Sequence, residues 1–201
     1  MGNMLKYCNC DCDIMDLGDD MSTLFILVRH GEPRYDEIQV DDKYGIAWDF
    51  GRLTDAGVKQ AKDRAKDPRF QDADLILSSP YTRALETAAN IASHTGLAIR
   101  VENDLHEWSP DLTFNYRFGP ERASEMKAVM DEYFQHQGER PVDSIYHWES
   151  VSDVKKRVLS VLEKYTHYHK VIVVCHGIVM NSLTTFGDRL DYCETREIVL
   201  P

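Results

Sequence analysis

Residues 23–35 read TLFILVRHGEPRY, and this stretch decides the fold. Five apolar residues, Leu24 to Val28, stop abruptly at Arg29, His30 and Gly31. A short, unbroken apolar run suits a parallel strand covered on both faces. The stretch therefore predicts a buried strand that delivers a cation and an imidazole at its tip. Similar runs follow at Asp74–Leu77, Leu97–Val101, Val171–Cys175 and Ile198–Leu200. Helical patterns fill the gaps at about 53–66, 81–94, 152–168 and 178–186, the first opened by Thr54 as its N-cap. This alternation predicts an α/β protein, a three-layer α/β/α sandwich on a mostly parallel sheet. The segment at about 104–150 breaks the rhythm. Rich in aromatic and turn residues, with one helix near 121–136, it reads as a cap-like insertion over the sheet edge where ligands bind.

Composition narrows the function. With 201 residues, 43% of them hydrophobic, the chain reads as a leader and one domain, 23–201, large enough to bury a core. A formal charge of −11 argues against nucleic acid or an anionic membrane as partner, since either asks for a basic face. Residues 1–22 carry five Asp and one Lys, net −4, leaving −7 for the rest; they read as a disordered acidic leader, with Met21 as an alternative start. No apolar run approaches the roughly 20 residues of a membrane span, so a cytoplasmic location is the default expectation. Cys8, Cys10 and Cys12 lack the paired knuckles of a zinc site. Cys175 and Cys193 read as small buried core residues.

In open parallel sheets, ligands bind beyond the carboxyl ends of the strands. The residues just after each apolar run are Arg29-His30-Gly31, then SSPYTR with Arg83 in the next helix's first turn, then NDLHEW with Glu107, then His176-Gly177. Two guanidinium forks and two imidazoles can wrap a phosphoryl group, and the start of the helix at Tyr81 adds its positive end. Gly31 and Gly177, lacking a Cβ, let backbone approach an anion. An imidazole can serve as covalent nucleophile, and a buried carboxylic acid can protonate the leaving oxygen. With arginines opposing the phosphoryl charge, this chemistry asks for no metal and no cofactor. The substrate class it implies is a small-molecule phosphomonoester.

LVRHGE, LTDAGVKQA, LSSPYTRALETA and VIVVCHGIVM, in that order over about residues 23–187, resemble the successive motifs of the histidine phosphatase superfamily, which includes phosphoglycerate mutases and many phosphatases. The resemblance implies a phosphoglycerate mutase-like fold. It implies His30 as phosphorylated nucleophile, Arg29, Arg83, His176 and Gly177 as the phosphate pocket, and Glu107 as proton donor. Pro33 and Asp36 replace the small polar residues that mutases of the family place after RHG. A phosphatase is therefore expected, with a phosphoglycerate mutase or a non-catalytic phosphate-binding protein as alternatives. Glu32 competes for the acid role, but Pro33 directs the backbone into an extended exit, and a hydrogen-bonded or solvated side chain is expected there. His94, His106, His136, His147, His167 and His169 read as solvated or packed. Trp48, Trp108 and Trp148, with Tyr116 and Phe118, read as a small core of the insertion or a pocket wall.

Overall fold

A computed structural model describes residues 22–36, 49–113 and 121–201. Residues 1–21 of the expected leader, its three cysteines, Trp48, Tyr116 and Phe118 lie outside them. Five strands form one sheet: β1 (Thr23–Arg29), β2 (Leu75–Ser78), β3 (Ile99–Val101), β4 (Lys170–Cys175) and β5 (Thr195–Leu200), in the order β3-β2-β4-β1-β5. The first four run parallel, and β5 closes the edge antiparallel to β1. The helices are α1 (Asp55–Arg64), α2 (Thr82–Thr95), α3 (Glu121–Gln135), α4 (Val151–Leu162) and α5 (Gly177–Leu183). Thr54 caps α1 as expected, its hydroxyl accepting the Gly57 N–H at 2.9 Å. Gly96, left-handed at φ 75°, ends α2.

Side-chain alternation divides the core into two halves. Phe25, Leu27, Leu75, Leu77, Val171 and Val173 face α3, α4 and α5. Ile26, Val28, Ile76, Ile172 and Val174 face Ala84, Ala88 and Ile91 of α2, with Ala65 and Phe70 beside them. A period of two with both phases apolar is what a sheet covered on both faces requires. Each of these side chains contributes roughly 1.5–3 kcal/mol by burial.

Two expectations change. β5 begins three residues before the apolar run that announced it, because it is a half-exposed edge strand whose first three residues, Thr195, Arg196 and Glu197, are polar. Trp108, Tyr133 and Trp148 pack in the same cluster as Phe25 and Leu27 rather than in a core of their own. Packed at tilted and edge-to-face angles with centroids 4.9–5.3 Å apart, these rings join the 104–150 segment to the sheet.

Candidate active site

Register alone brings the two histidines together. β1 and β4 pair so that Arg29 stands opposite Cys175; the next residue on each strand is a histidine, and the imidazole centroids lie 5.2 Å apart. The His30 N–H continues the ladder to the Cys175 carbonyl at 3.0 Å. Both rings are buried, 5% and 0% exposed.

The hydrogen bonds of His30 assign its tautomer. Nδ1 lies 2.8 Å from the Gly31 carbonyl oxygen, which can only accept, so Nδ1 carries the proton. Nε2 accepts from Arg83 Nε at 3.2 Å and therefore presents its lone pair to the guanidinium. Burial first, then the charge of Arg83, lowers the His30 pKa to about 3. Burial outweighs the flanking cations as the cause. The ring is neutral at physiological pH, as a nucleophile must be.

His176 is held differently. Its Nε2 lies 2.7 Å from the Ser79 hydroxyl, which also accepts the Tyr81 N–H at 3.3 Å. A hydroxyl has one proton and two lone pairs, so it can donate to Nε2 while accepting from Tyr81, and in that arrangement the His176 proton sits on Nδ1. That nitrogen is buried with no hydrogen-bond partner among the described residues. Burial, followed by the charge of Arg83, keeps this ring neutral as well. A neutral N–H donor beside a neutral imidazole nucleophile, flanked by two guanidinium groups, suits a phosphoryl dianion.

Each arginine lies against a tyrosine. Arg83, 6% exposed, has its guanidinium carbon 4.9 Å from the Tyr81 ring centroid, and Arg29 lies 4.6 Å from that of Tyr192. Arg29 Nη1 donates to the Leu190 carbonyl, while its Nε is buried with no hydrogen-bond partner among the described residues. Gly31 is required by packing: a Cβ there would stand 2.7 Å from the Gly57 carbonyl oxygen. This is a tighter constraint than the approach to an anion expected from sequence. At Gly177 a Cβ would meet, among the described residues, only Arg29 Nε, at 3.7 Å.

Glu107 lies close enough to Arg83 for the two charges to interact. Its carboxylate accepts the backbone N–H groups of Trp108, at 2.9 Å, and of Ile178. Burial nonetheless raises its pKa, and Arg83 is the strongest charge opposing that rise. Glu32 accepts the Thr54 hydroxyl at 3.0 Å and its carbonyl takes the Thr54 N–H, so its carboxylate serves the start of α1.

Several site residues escaped the sequence reading. Tyr35 packs on Gly51; burial raises its pKa, and Arg83, Tyr192, Glu107 and Arg29 are the ionisable groups acting on it. His106, read as merely solvated or packed, has its ring 6.4 Å from that of Tyr81. Arg157 and Glu149 form a buried ion pair, 13% and 6% exposed, at 2.6 Å. Arg157 had a legible signal: it lies on the apolar stripe of α4 formed by Val154, Val158 and Val161, where a charge needs a reason.

The description "histidine phosphatase superfamily (branch 1)" matches residues 25–198. The chain belongs to that superfamily. Phosphoserine phosphatase 1 of Hydrogenobacter thermophilus is 29% identical over 170 residues, 79% of this chain and 72% of that protein. Mycobacterial glucosyl-3-phosphoglycerate phosphatase superposes with a TM-score of 0.63 at 19% identity, covering 89% of this chain and 90% of the other. A phosphoglycerate mutase from Bacillus anthracis superposes at 0.61 with 16% identity, covering 89% and 88%. These likenesses place the fold among phosphoglycerate mutase-like proteins, and membership makes this histidine phosphatase a phosphoric monoester hydrolase. Among the described residues, no helix is long and apolar enough to cross a membrane.

Proposed function

We propose that the protein hydrolyses small phosphomonoesters through a phosphohistidine on His30. The observation that carries this reading is the His30 tautomer, with Nδ1–H on the Gly31 carbonyl and the Nε2 lone pair facing Arg83. Nε2 attacks phosphorus while Arg29, Arg83, the Nδ1–H of His176 and the backbone at Gly177 hold the phosphoryl oxygens. The ester P–O bond breaks, and Glu107 in its acid form gives its proton to the leaving oxygen. The Glu107 carboxylate then takes a proton from a water molecule whose oxygen attacks the phosphohistidine. The N–P bond breaks, returning neutral His30, protonated Glu107 and inorganic phosphate. Charge neutralisation is assigned to the arginines, so no step calls for a divalent cation.

The name of the Hydrogenobacter relative supports a phosphorylated hydroxy-amino acid, phosphoserine, as the first substrate to try. Purified protein in EDTA is expected to release inorganic phosphate from phosphoserine and from p-nitrophenyl phosphate. Absence of turnover on both, or turnover that appears only when a divalent cation is restored, overturns the reading.

A further inference from the structure

We infer that Arg157 and Glu149 are positioning residues for Glu107, fixing the 104–109 backbone so that the carboxyl stands at the leaving oxygen. The inference rests on the reading of Glu107 as proton donor.

Residues 106–109 belong to neither a helix nor a strand, so no ladder supports the backbone that carries the acid. Arg157 supplies the missing donors. Its Nη1 donates to the carbonyls of Asp104 and His106, the latter at 2.9 Å, and Nη2 reaches the Glu107 carbonyl at 3.4 Å. Its Nε and Nη2 form a two-point pair with Glu149 at 2.6 and 3.0 Å. Glu149 grips the other end of the segment. Its carboxylate accepts the Ser109 N–H at 3.2 Å, its backbone N–H donates to the Ser109 carbonyl at 2.9 Å, and its carbonyl accepts from Trp108 Nε1 at 2.5 Å.

Every N–H direction of the guanidinium fork is thus directed at the acid-bearing segment or at the carboxylate that holds it. The fork projects from a helix whose neighbouring residues, Val154, Val158 and Val161, are locked in the core, so it is a rigid support. A buried ion pair is generally a poor source of stability compared with apolar packing, which leaves geometry as its use. Glu149 also balances the Arg157 charge, which alone would favour ionised Glu107. Lysine cannot substitute, since a single ammonium cannot reproduce the planar fork.

The test compares kcat/KM for phosphoserine, a poor leaving group, with that for p-nitrophenyl phosphate, whose leaving group departs without a proton. The variants are Arg157→Lys, Glu149→Gln, Glu107→Gln and the double variant Glu107→Gln/Arg157→Lys. Misplacing a reacting group by about 1 Å costs up to about 10²-fold. Arg157→Lys and Glu149→Gln are therefore expected to slow phosphoserine by about 10- to 100-fold and p-nitrophenyl phosphate by less than about threefold. In the double variant, Arg157→Lys adds no further loss on phosphoserine. Turnover of p-nitrophenyl phosphate reports that each variant is folded, and Glu149→Gln decides the matter should Arg157→Lys not fold. Equal slowing of both substrates, or an additive loss in the double variant, overturns the inference while leaving Glu107 as donor. A Glu107→Gln variant without leaving-group dependence overturns the donor reading, and this inference with it.

Discussion

The phosphate pocket and the acid-bearing arm are built by different means. In the pocket, backbone does the positioning: the β1–β4 register sets His30 beside His176, and the first turn of α2 supplies Arg83. In the arm, a side chain from α4, 50 residues further along the chain, holds the Glu107 backbone. A register is shared by a whole strand and tolerates most single substitutions, whereas a side-chain clamp fails with one. In the proposed mechanism the two regions serve different steps, so changes in the pocket should affect every substrate, while changes in the arm should sort substrates by leaving group.

The largest expected effect lies in the pocket. His30→Ala should lower kcat/KM by roughly 10³-fold or more on all phosphomonoesters alike, as removal of a nucleophile does. Steady-state assays on an alkyl and an aryl phosphate check it, and unequal losses would break the contrast. In the arm, Glu107→Gln should slow alkyl phosphates by about 10²–10⁴-fold and p-nitrophenyl phosphate far less. Glu32→Gln, whose carboxylate binds Thr54, should change both mildly and equally. A leaving-group series for the three proteins gives the answer, and a steeper dependence in Glu32→Gln would move the acid to that residue.

Stability against pH separates the regions by sign. His30 is held neutral, its pKa lowered from 6.5 to about 3, so the unfolded state binds the extra proton between those values. Its contribution is complete above pH 6.5 and is lost as pH falls, by about 2 kcal/mol at pH 5. His176 acts in the same direction. Glu107, with a raised pKa, contributes in the opposite sense, losing stability as pH rises through that pKa. Thermal melts should show His30→Gln removing the fall in stability as pH drops below 6.5, and Glu107→Gln removing a fall that sets in as pH rises above 4.5. The smallest effect should come from Tyr192, 37% exposed beneath Arg29. An exposed cation–π contact of about 0.5–1 kcal/mol implies that Tyr192→Leu raises KM about two- to fivefold, with kcat little changed. Initial-rate measurements resolve that split.

The same difference explains what could be read from sequence. Pocket residues stand immediately after apolar runs, so the strand pattern and the rule that ligands gather at strand ends locate them without a structure. Glu107 was legible on the same rule, through the run that ends at Val101. The pairing of its supports was not: Arg157 donates to carbonyls 50 to 53 residues away and Glu149 accepts from Trp108 and Ser109, 41 and 40 residues away, and although a charge on an apolar stripe marks Arg157, no local pattern encodes such partners. The antiparallel course of β5 was hidden for a related reason, since an apolar run carries no direction, and Thr195–Glu197 at its start are polar. Tyr192 lies in a turn after α5 that shows no periodicity, and its place under Arg29 depends on where β5 returns.

The central claim is that His30 Nε2 accepts the phosphoryl group. Protein mixed with phosphate-labelled substrate and quenched in alkali within a turnover should carry one label, stable to base and released by acid. Peptide mapping should place it on His30, and His30→Gln should carry none. Label on another residue, or label that survives acid as a serine phosphate would, contradicts the account.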